Sequence, residues 1–342
     1  MQLAGLVFLF SLGPPESQTS VKDAALQVNT LDLFPTGKNQ TISISKIRNQ
    51  RDLTIISGIS CFELFYNITE LYTDMRLAKT KRSFCINNDD AVLLCFVKLY
   101  HNISFCLLGV LFGVHRTTAS KIFKESIVVL SGILKHAVFS PTKDAITANM
   151  TVYFKDHAET RVVLDCTEIN IEKAKDLKSR LLTYSHYKKT YTAKVLVGET
   201  PGGLISYVSP AYGGKASDSY IVKHTGMLDL CEPHKDAVMV DKGFLIQELC
   251  DEKHLKLIRP PFLKEPQLST ADAVANQSIA RARVHVERAI QRMKAFKILQ
   301  SRFDLDMLPY IDSIITVIVG VTNLSKPLFS DKRFLFSNSD AE

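Results

Sequence analysis

Apolar and polar residues recur with two different periods along this chain, and the change falls near residue 160. From about Leu53 to Leu134 apolar side chains return every three or four positions, the spacing of one helix face. Phe62, Phe65, Ile68 and Leu71–Tyr72 mark one such stripe, and Ala91–Leu99 forms a strongly apolar helix. Ser104 opens a short helix that runs through Phe112, and Gly113-Val114-His115 makes a turn. A further helix runs from Arg116 to about Leu134. It turns Ala119, Ile122, Phe123, Ile127 and Leu130 inward and leaves Arg116, Thr117, Ser120, Lys121 and Lys124 outside. Short helix, glycine-containing turn and second helix with a basic, hydroxyl-rich face make a helix-turn-helix pattern. A plain helical bundle with a solvated face would read the same way.

Beyond Arg161 the pattern becomes that of short apolar strands between helices. Val162–Leu164, Ala193–Val197, Leu204–Val208, Ala237–Val240 and Leu255–Ile258 read as strands, with Thr200-Pro201-Gly202-Gly203 as a hairpin turn. Ser217–His224 and Leu245–Lys253 read as helices, the first capped by Ser217 or Asp218. A long helix capped by Ser269 runs to about Leu299. Its buried stripe is Ile279, Ala282, Val286, Ala289 or Ile290, Met293 and Phe296. This order predicts an α/β fold: a mixed sheet covered by helices, preceded by an all-α layer.

Two aspartates stand directly after apolar runs, Asp165 after Val-Val-Leu and Asp241 after Val-Met-Val. A carboxylate there is costly unless it is solvated, paired or bound to metal, and ligands in open α/β sheets gather at the carboxyl ends of strands. Either aspartate alone could simply cap a turn. Glu287 adds a third carboxylate at the edge of the long helix's buried stripe, where it could reach over the sheet end. An exposed ion pair with Arg283, four residues back, would be the alternative, worth only ~0.3–0.5 kcal/mol.

Charge sharpens this picture. The net charge is +7, and between Asp272 and Asp304 seven Lys/Arg residues face the single acid Glu287. The basicity is local, as on a phosphate-binding face, and a lone carboxylate in such a field suits a metal cation held beside a phosphodiester. Tyr184-Ser185-His186-Tyr187-Lys188-Lys189, followed by Tyr191 and Lys194, interleaves aromatics and bases with no acid between Asp176 and Glu199. It could grip backbone phosphates and splayed bases, or the tyrosines could pack inward and leave only the lysines exposed.

The remaining features set bounds. The 342 residues are 46% apolar, enough for a sizeable core. We expect a linker or disordered arm over 1–50, a helical helix-turn-helix domain over 51–150, a nuclease domain over 151–326 and a tail over 327–342. The seven cysteines form no Cys-x-x-Cys pair and predict mostly buried, reduced thiols in an intracellular protein. Leu3–Leu12 resembles a signal-peptide core but has no Lys or Arg before it. The run Ile314–Val321 is too short to span a bilayer, which takes about 20 residues.

The succession Val-Val-Leu-Asp-Cys-Thr-Glu-Ile (162–169), Tyr-Ser-His-Tyr-Lys (184–188), Lys-Val-Leu-Val-Gly (194–198), Gly-Gly-Lys-Ala-Ser-Asp (213–218), Val-Met-Val-Asp-Lys-Gly-Phe (238–244) and Val-His-Val-Glu-Arg-Ala-Ile (284–290) resembles the DDE superfamily endonucleases. Within them it is most similar to Harbinger-like transposases and the host genes derived from them. The resemblance covers about residues 150–326, and a weaker one to their helix-turn-helix domain covers about 53–135. It implies a ribonuclease-H-like fold with Asp165, Asp241 and Glu287 as catalytic, metal-binding triad and Asp218 as a helix cap or supporting group. The implied cofactor is Mg²⁺ or Mn²⁺, two ions about 3.5–4 Å apart acting on attacking and leaving oxygens. Implied partners are DNA, a Myb-like DNA-binding protein and further copies of the chain, in the nucleus and away from membranes. DNA contacts are expected from Arg116, Thr117, Ser120, Lys121, Lys188, Lys189, Arg283, Arg288 and Arg292. Thr151 and Gln291 depart from residues frequent in the family, and residues 1–50 match nothing in it, which suggests a truncated or decayed end. A domesticated DNA-binding or scaffolding protein without nuclease activity is the other reading.

Overall fold

The computed structural model describes residues 42–79, 84–261, 270–327 and 334–335. The expectations for Leu3–Leu12, for most of the 1–50 arm, for a cap at Ser269 and for most of the tail lie outside those residues. Gln40–Glu342 cluster as one compact unit.

The helical layer consists of α1 (Gln50–Ser57), α2 (Phe62–Lys79), α3 (Asn88–His101), α4 (Phe105–Phe112), α5 (Arg116–Leu134) and α6 (Lys143–Ala148). The α4–α5 turn follows from local chemistry. Ser104 caps α4 by accepting from the Leu107 amide, and Gly113 ends it with φ at 66°. Gly109 is needed for space: a Cβ there would stand 2.5 Å from the Val114 carbonyl oxygen. His115 then caps α5 by accepting from the Thr117 amide. All five inward residues expected on α5 are fully buried, and Ile122, Phe123, Ile127 and Leu130 each contribute about 1.5–3 kcal/mol of apolar burial. In α2, Tyr72 is buried but Leu71 is exposed.

The sheet orders its strands β2-β3-β1-β6-β7, with β4 and β5 also paired to β3. These are β1 (Thr160–Asn170), β2 (Tyr184–Ser185), β3 (Thr190–Glu199), β4 (Ile205–Val208), β5 (Tyr212–Gly213), β6 (Ala237–Val240) and β7 (Lys256–Ile258). β1 is antiparallel to β3 and parallel to β6, and β6 is parallel to β7. β1 is far longer than the Val162–Leu164 run. Beyond Leu164, its last partner on β6 is left behind and the strand continues against β3 alone to Asn170. Polar Asp165, Cys166, Thr167 and Glu168 hid that extension, because the cross-strand ladder and not apolarity maintains it.

Both sheet faces are covered. Beyond α7 (Leu177–Thr183), Val162, Leu164, Val238 and Val240 pack toward α8 (Asp218–Thr225) and α9 (Gln247–Glu252), with Ile221, Val222 and Cys250. Their neighbours Val163 and Met239 face the other way, toward α10 (Thr270–Lys294), α11 (Ile311–Leu324) and the helical layer. This second core joins residues from Ile44 to Val321 in one cluster. Residue 150 is thus a change of architecture inside one core. The stretch Leu305–Leu324 is, by length and composition, long and apolar enough to cross a membrane, longer than the eight-residue run suggested. In the fold Ile314, Val317, Ile318 and Val321 are buried, and α11 lies against α5. The seven cysteines are free, but only Cys95, Cys231 and Cys250 are buried. Cys85 and Cys106 are exposed, contrary to the expected general burial.

Candidate active site

Asp165 and Asp241 follow the paired residues Leu164 and Val240 on adjacent parallel strands. Asp165 therefore lies inside β1, not at its end, and it is the end of β6 that opens space beside it. With a two-residue side-chain period, Asp165 shares the face of Val163, which is the α10 side of the sheet. The Cys166 amide donates to Asp165 Oδ1 at 2.8 Å, and the Lys242 amide donates to Asp241 Oδ1 at 2.6 Å. Burial pushes the Asp165 carboxyl up to about 6. The Cys166 amide and Arg283 pull it down, and Asp241 and Asp218 push it further up. Asp241 is half-exposed.

The cation facing this pair is Arg283. Its Nη1 lies 2.9 Å from Asp241 Oδ1, and its side chain is only 13% exposed. Arg283 thus belongs to the acid pair and not to an open DNA-facing surface. Its Nε is buried without an acceptor among the described residues. Glu287, one turn further along α10, is exposed and makes no hydrogen bond or ion pair among the described residues. The expected stripe on α10, Ile279 to Phe296, is buried throughout. Glu287 lies just outside it, and the structure does not bring its carboxylate to the two aspartates.

A second ring of charges supports the first. Ser217 caps α8 through the Tyr220 amide, which frees Asp218 to accept from Lys194 Nζ at 3.2 Å. Lys194 also reaches Glu168 at 3.6 Å, and Glu168 accepts from Thr192 at 2.7 Å. Asp218 acts on Asp165 through its charge. Lys194 is nearly buried by these contacts, so it is not a DNA-gripping base. Burial pushes the Lys294 ammonium down, as does Lys188, while Asp165 and Glu168 favour its charge. Sequence reasoning missed Lys294 and Glu168 and gave Lys194 a different role; the alternation of Glu168 on β1 and Lys194 on β3 and the helical phase of Lys294 were the available signals.

The remaining basic candidates divide. Arg288 is exposed on α10. Arg292 instead donates to the carbonyls of Thr322 at 3.3 Å and Lys326 at 2.7 Å, tying α10 to the end of α11. It also lies near Glu199, whose carboxylate is buried with neither oxygen hydrogen-bonded among the described residues. Arg292 is therefore occupied internally. Lys188 and Lys189 stand exposed at the β2–β3 tip beside Tyr187, itself 82% exposed, with Lys188 Nζ 5.1 Å from the Tyr187 ring centroid. Tyr184 and Tyr191 pack on each other, so the tyrosines split between the two readings. On α5, Arg116, Thr117 and Lys121 are exposed and Ser120 is half-buried. Among the described residues Lys121 pairs only with Glu125, at 3.8 Å, and Lys124 turns toward the Tyr310 ring.

Asp165 and Asp241 fit a divalent cation, since they are hard oxygen donors from neighbouring strands with a guanidinium already standing in for positive charge. Among the described residues no third acidic, His or Cys side chain gathers with them.

Fold and acid pair together describe an α/β protein whose carboxylates gather at the end of a parallel strand pair, behind an all-helical layer. Residues 164–323 match the family model described as DDE superfamily endonuclease, and residues 85–135 match that of the helix-turn-helix of DDE superfamily endonuclease. In this order the two matches support a DDE superfamily endonuclease or transposase-like protein. No curated protein and no solved structure matches it.

Proposed function

We propose that the protein is a metal-dependent DNA endonuclease of the transposase kind, working in the nucleus. The observation that carries this reading is the register of the two aspartates, side by side where β6 ends and β1 continues. Bound Mg²⁺ or Mn²⁺ would supply Lewis acidity for activating a water or a 3′-hydroxyl and for steadying the leaving oxygen. Asp165 and Asp241 would hold the metal, and Lys194 would keep Asp218 in place behind them. Arg116, Thr117, Ser120 and Lys121 would meet DNA from α5, with Lys188, Lys189 and Arg288 touching phosphates nearer the cut. A ribonuclease-H-like sheet, affinity with Harbinger-like transposases, a Myb-like partner and assembly of several copies belong to the same proposal.

A second reading, a DNA-binding protein that no longer cuts, draws on the exposed, unengaged Glu287 and on Arg283 holding Asp241. Nicking of DNA that carries the terminal sequences of a transposon encoding this chain separates the two. The nuclease reading expects Mg²⁺- or Mn²⁺-dependent nicking by the wild type, abolished by Asp241→Asn with DNA binding retained. Binding without nicking under any divalent metal, with partner proteins supplied, would favour the scaffold.

A further inference from the structure

A single arginine, Arg283, serves both carboxylates of the acid pair. Asp218 and Glu168 stand near Asp165 and Asp241, together with the cations Arg283, Lys194, Lys294 and Lys188. Lys194 is spoken for by Glu168 and Asp218. Asp165 and Asp241 therefore share Arg283, with the charge of Lys294 acting on Asp165 from farther off.

The Arg283 contact is also incomplete. Nη1 holds Asp241, while Nε is buried with no acceptor among the described residues. A guanidinium that serves a carboxylate through one nitrogen, with another donor stranded, forgoes the two-point geometry that makes such pairs strong. Asp241 is half-exposed, so a cation from solvent has access to it.

We infer that Arg283 is a resident counter-cation of the aspartate pair, which divalent metal must displace from Asp241 in order to bind. This rests on the metal-dependent reading above and concerns what the chain does before metal arrives. Arg283 stabilises the acid pair in the metal-free protein and, by competition, weakens its affinity for metal. The same contact explains why Glu287 stands alone. Its helical neighbour at i−4 is directed to the sheet, so the Arg283–Glu287 pair suggested by their spacing is not formed.

The test is Mn²⁺ binding to the full chain, followed by electron paramagnetic resonance and titration calorimetry, in wild type, Arg283→Gln and Arg283→Lys. Gln removes the charge and shortens the side chain while leaving it polar, and Lys keeps the charge. Arg283→Gln should bind Mn²⁺ at least about tenfold tighter than wild type, the scale set by loss of one charge-assisted hydrogen bond. Arg283→Lys should stay within about threefold of wild type. Adding Asp241→Asn to Arg283→Gln should remove the gain, which would tie it to this pair. Equal or weaker Mn²⁺ binding by Arg283→Gln, with wild type binding normally, would overturn the inference alone. Failure of every form to bind Mn²⁺ would overturn it together with the metal-dependent reading. Should Arg283→Gln not fold, Arg283→Met replaces it as the neutral variant under the same criteria.

Discussion

Two basic helices, α5 and α10, look alike in sequence and have different fates in the fold. On α5 the basic and hydroxyl side chains at the amino-terminal end remain at the surface, where Lys121 meets only a neighbour on its own helix. On α10 two arginines are engaged internally: Arg283 on Asp241 and Arg292 on the carbonyls that end α11. The difference is what stands opposite. Among the described residues Lys121 has only Glu125 of its own helix as an ion-pair partner, whereas α10 packs on β1 and β3, with Arg283 on the residue that follows β6 and Arg292 at the end of α11. Helix carboxyl termini and strand-end carboxylates attract guanidinium groups before any ligand arrives. Positive charge on a helix is therefore evidence for DNA contact only where the fold leaves it unspent.

The largest effect expected from this contrast lies at Glu199, behind Arg292. Burial pushes its carboxyl from 4.5 up to about 8, and Arg292 pulls it partway back. The raised value favours the protonated native state. Its stabilising contribution is fully present below pH 4.5, declines as pH rises and is lost as pH passes through 8. Glu199→Gln should flatten that decline and raise stability at pH 9, relative to pH 5, on the order of a few kcal/mol. Thermal unfolding across pH 5–9 checks it, and a wild-type profile that rises over this range would contradict the assignment.

Arg292→Ala comes next. It should destabilise the fold by about 2 kcal/mol, since two carbonyls lose a charged donor, yet leave the salt dependence of DNA binding unchanged. A smaller salt slope with unaltered melting would return Arg292 to the DNA-facing set.

On α5 the expectation reverses. Arg116→Ala with Lys121→Ala should reduce the slope of log K against log[salt] by about two, at a stability change within about 1 kcal/mol. Unchanged binding at every salt concentration would reduce the helix-turn-helix to a packing element. Arg288→Ala is the smallest case. It should reduce the slope by about one and move stability by less than about 0.5 kcal/mol. If binding does not change at all, α10 presents no arginine to DNA.

Much of this architecture was legible beforehand, for identifiable reasons. Helical phase alone located the buried stripes of α5 and α10, because a 3.6-residue period leaves little choice of face. Apolar runs located β6 and the start of β1. The β2–β3 hairpin and the polar half of β1 were missed, since cross-strand hydrogen bonds form them without an apolar signature. The two aspartates were legible as a pair because each follows an apolar strand. The partnerships of Arg283, Arg292 and Lys194 were not, because each spans a long stretch of chain or depends on which carboxylate or carbonyl a neighbouring element delivers.

By itself, then, the sequence determined the element types, the inward faces of the helices, the acid pair and the local excess of positive charge. These depend on interactions within a few residues or on strict periodicity. Only the tertiary structure decided that the helical layer and the sheet share one core, that Asp165 lies within a strand that outruns its parallel neighbour, and which bases remain at the surface. It also set Arg283, and not Glu287, against Asp241. The physical reason is the range of the forces. Burial and helix phase act locally, whereas a charge settles on whichever opposite charge the folded chain brings closest.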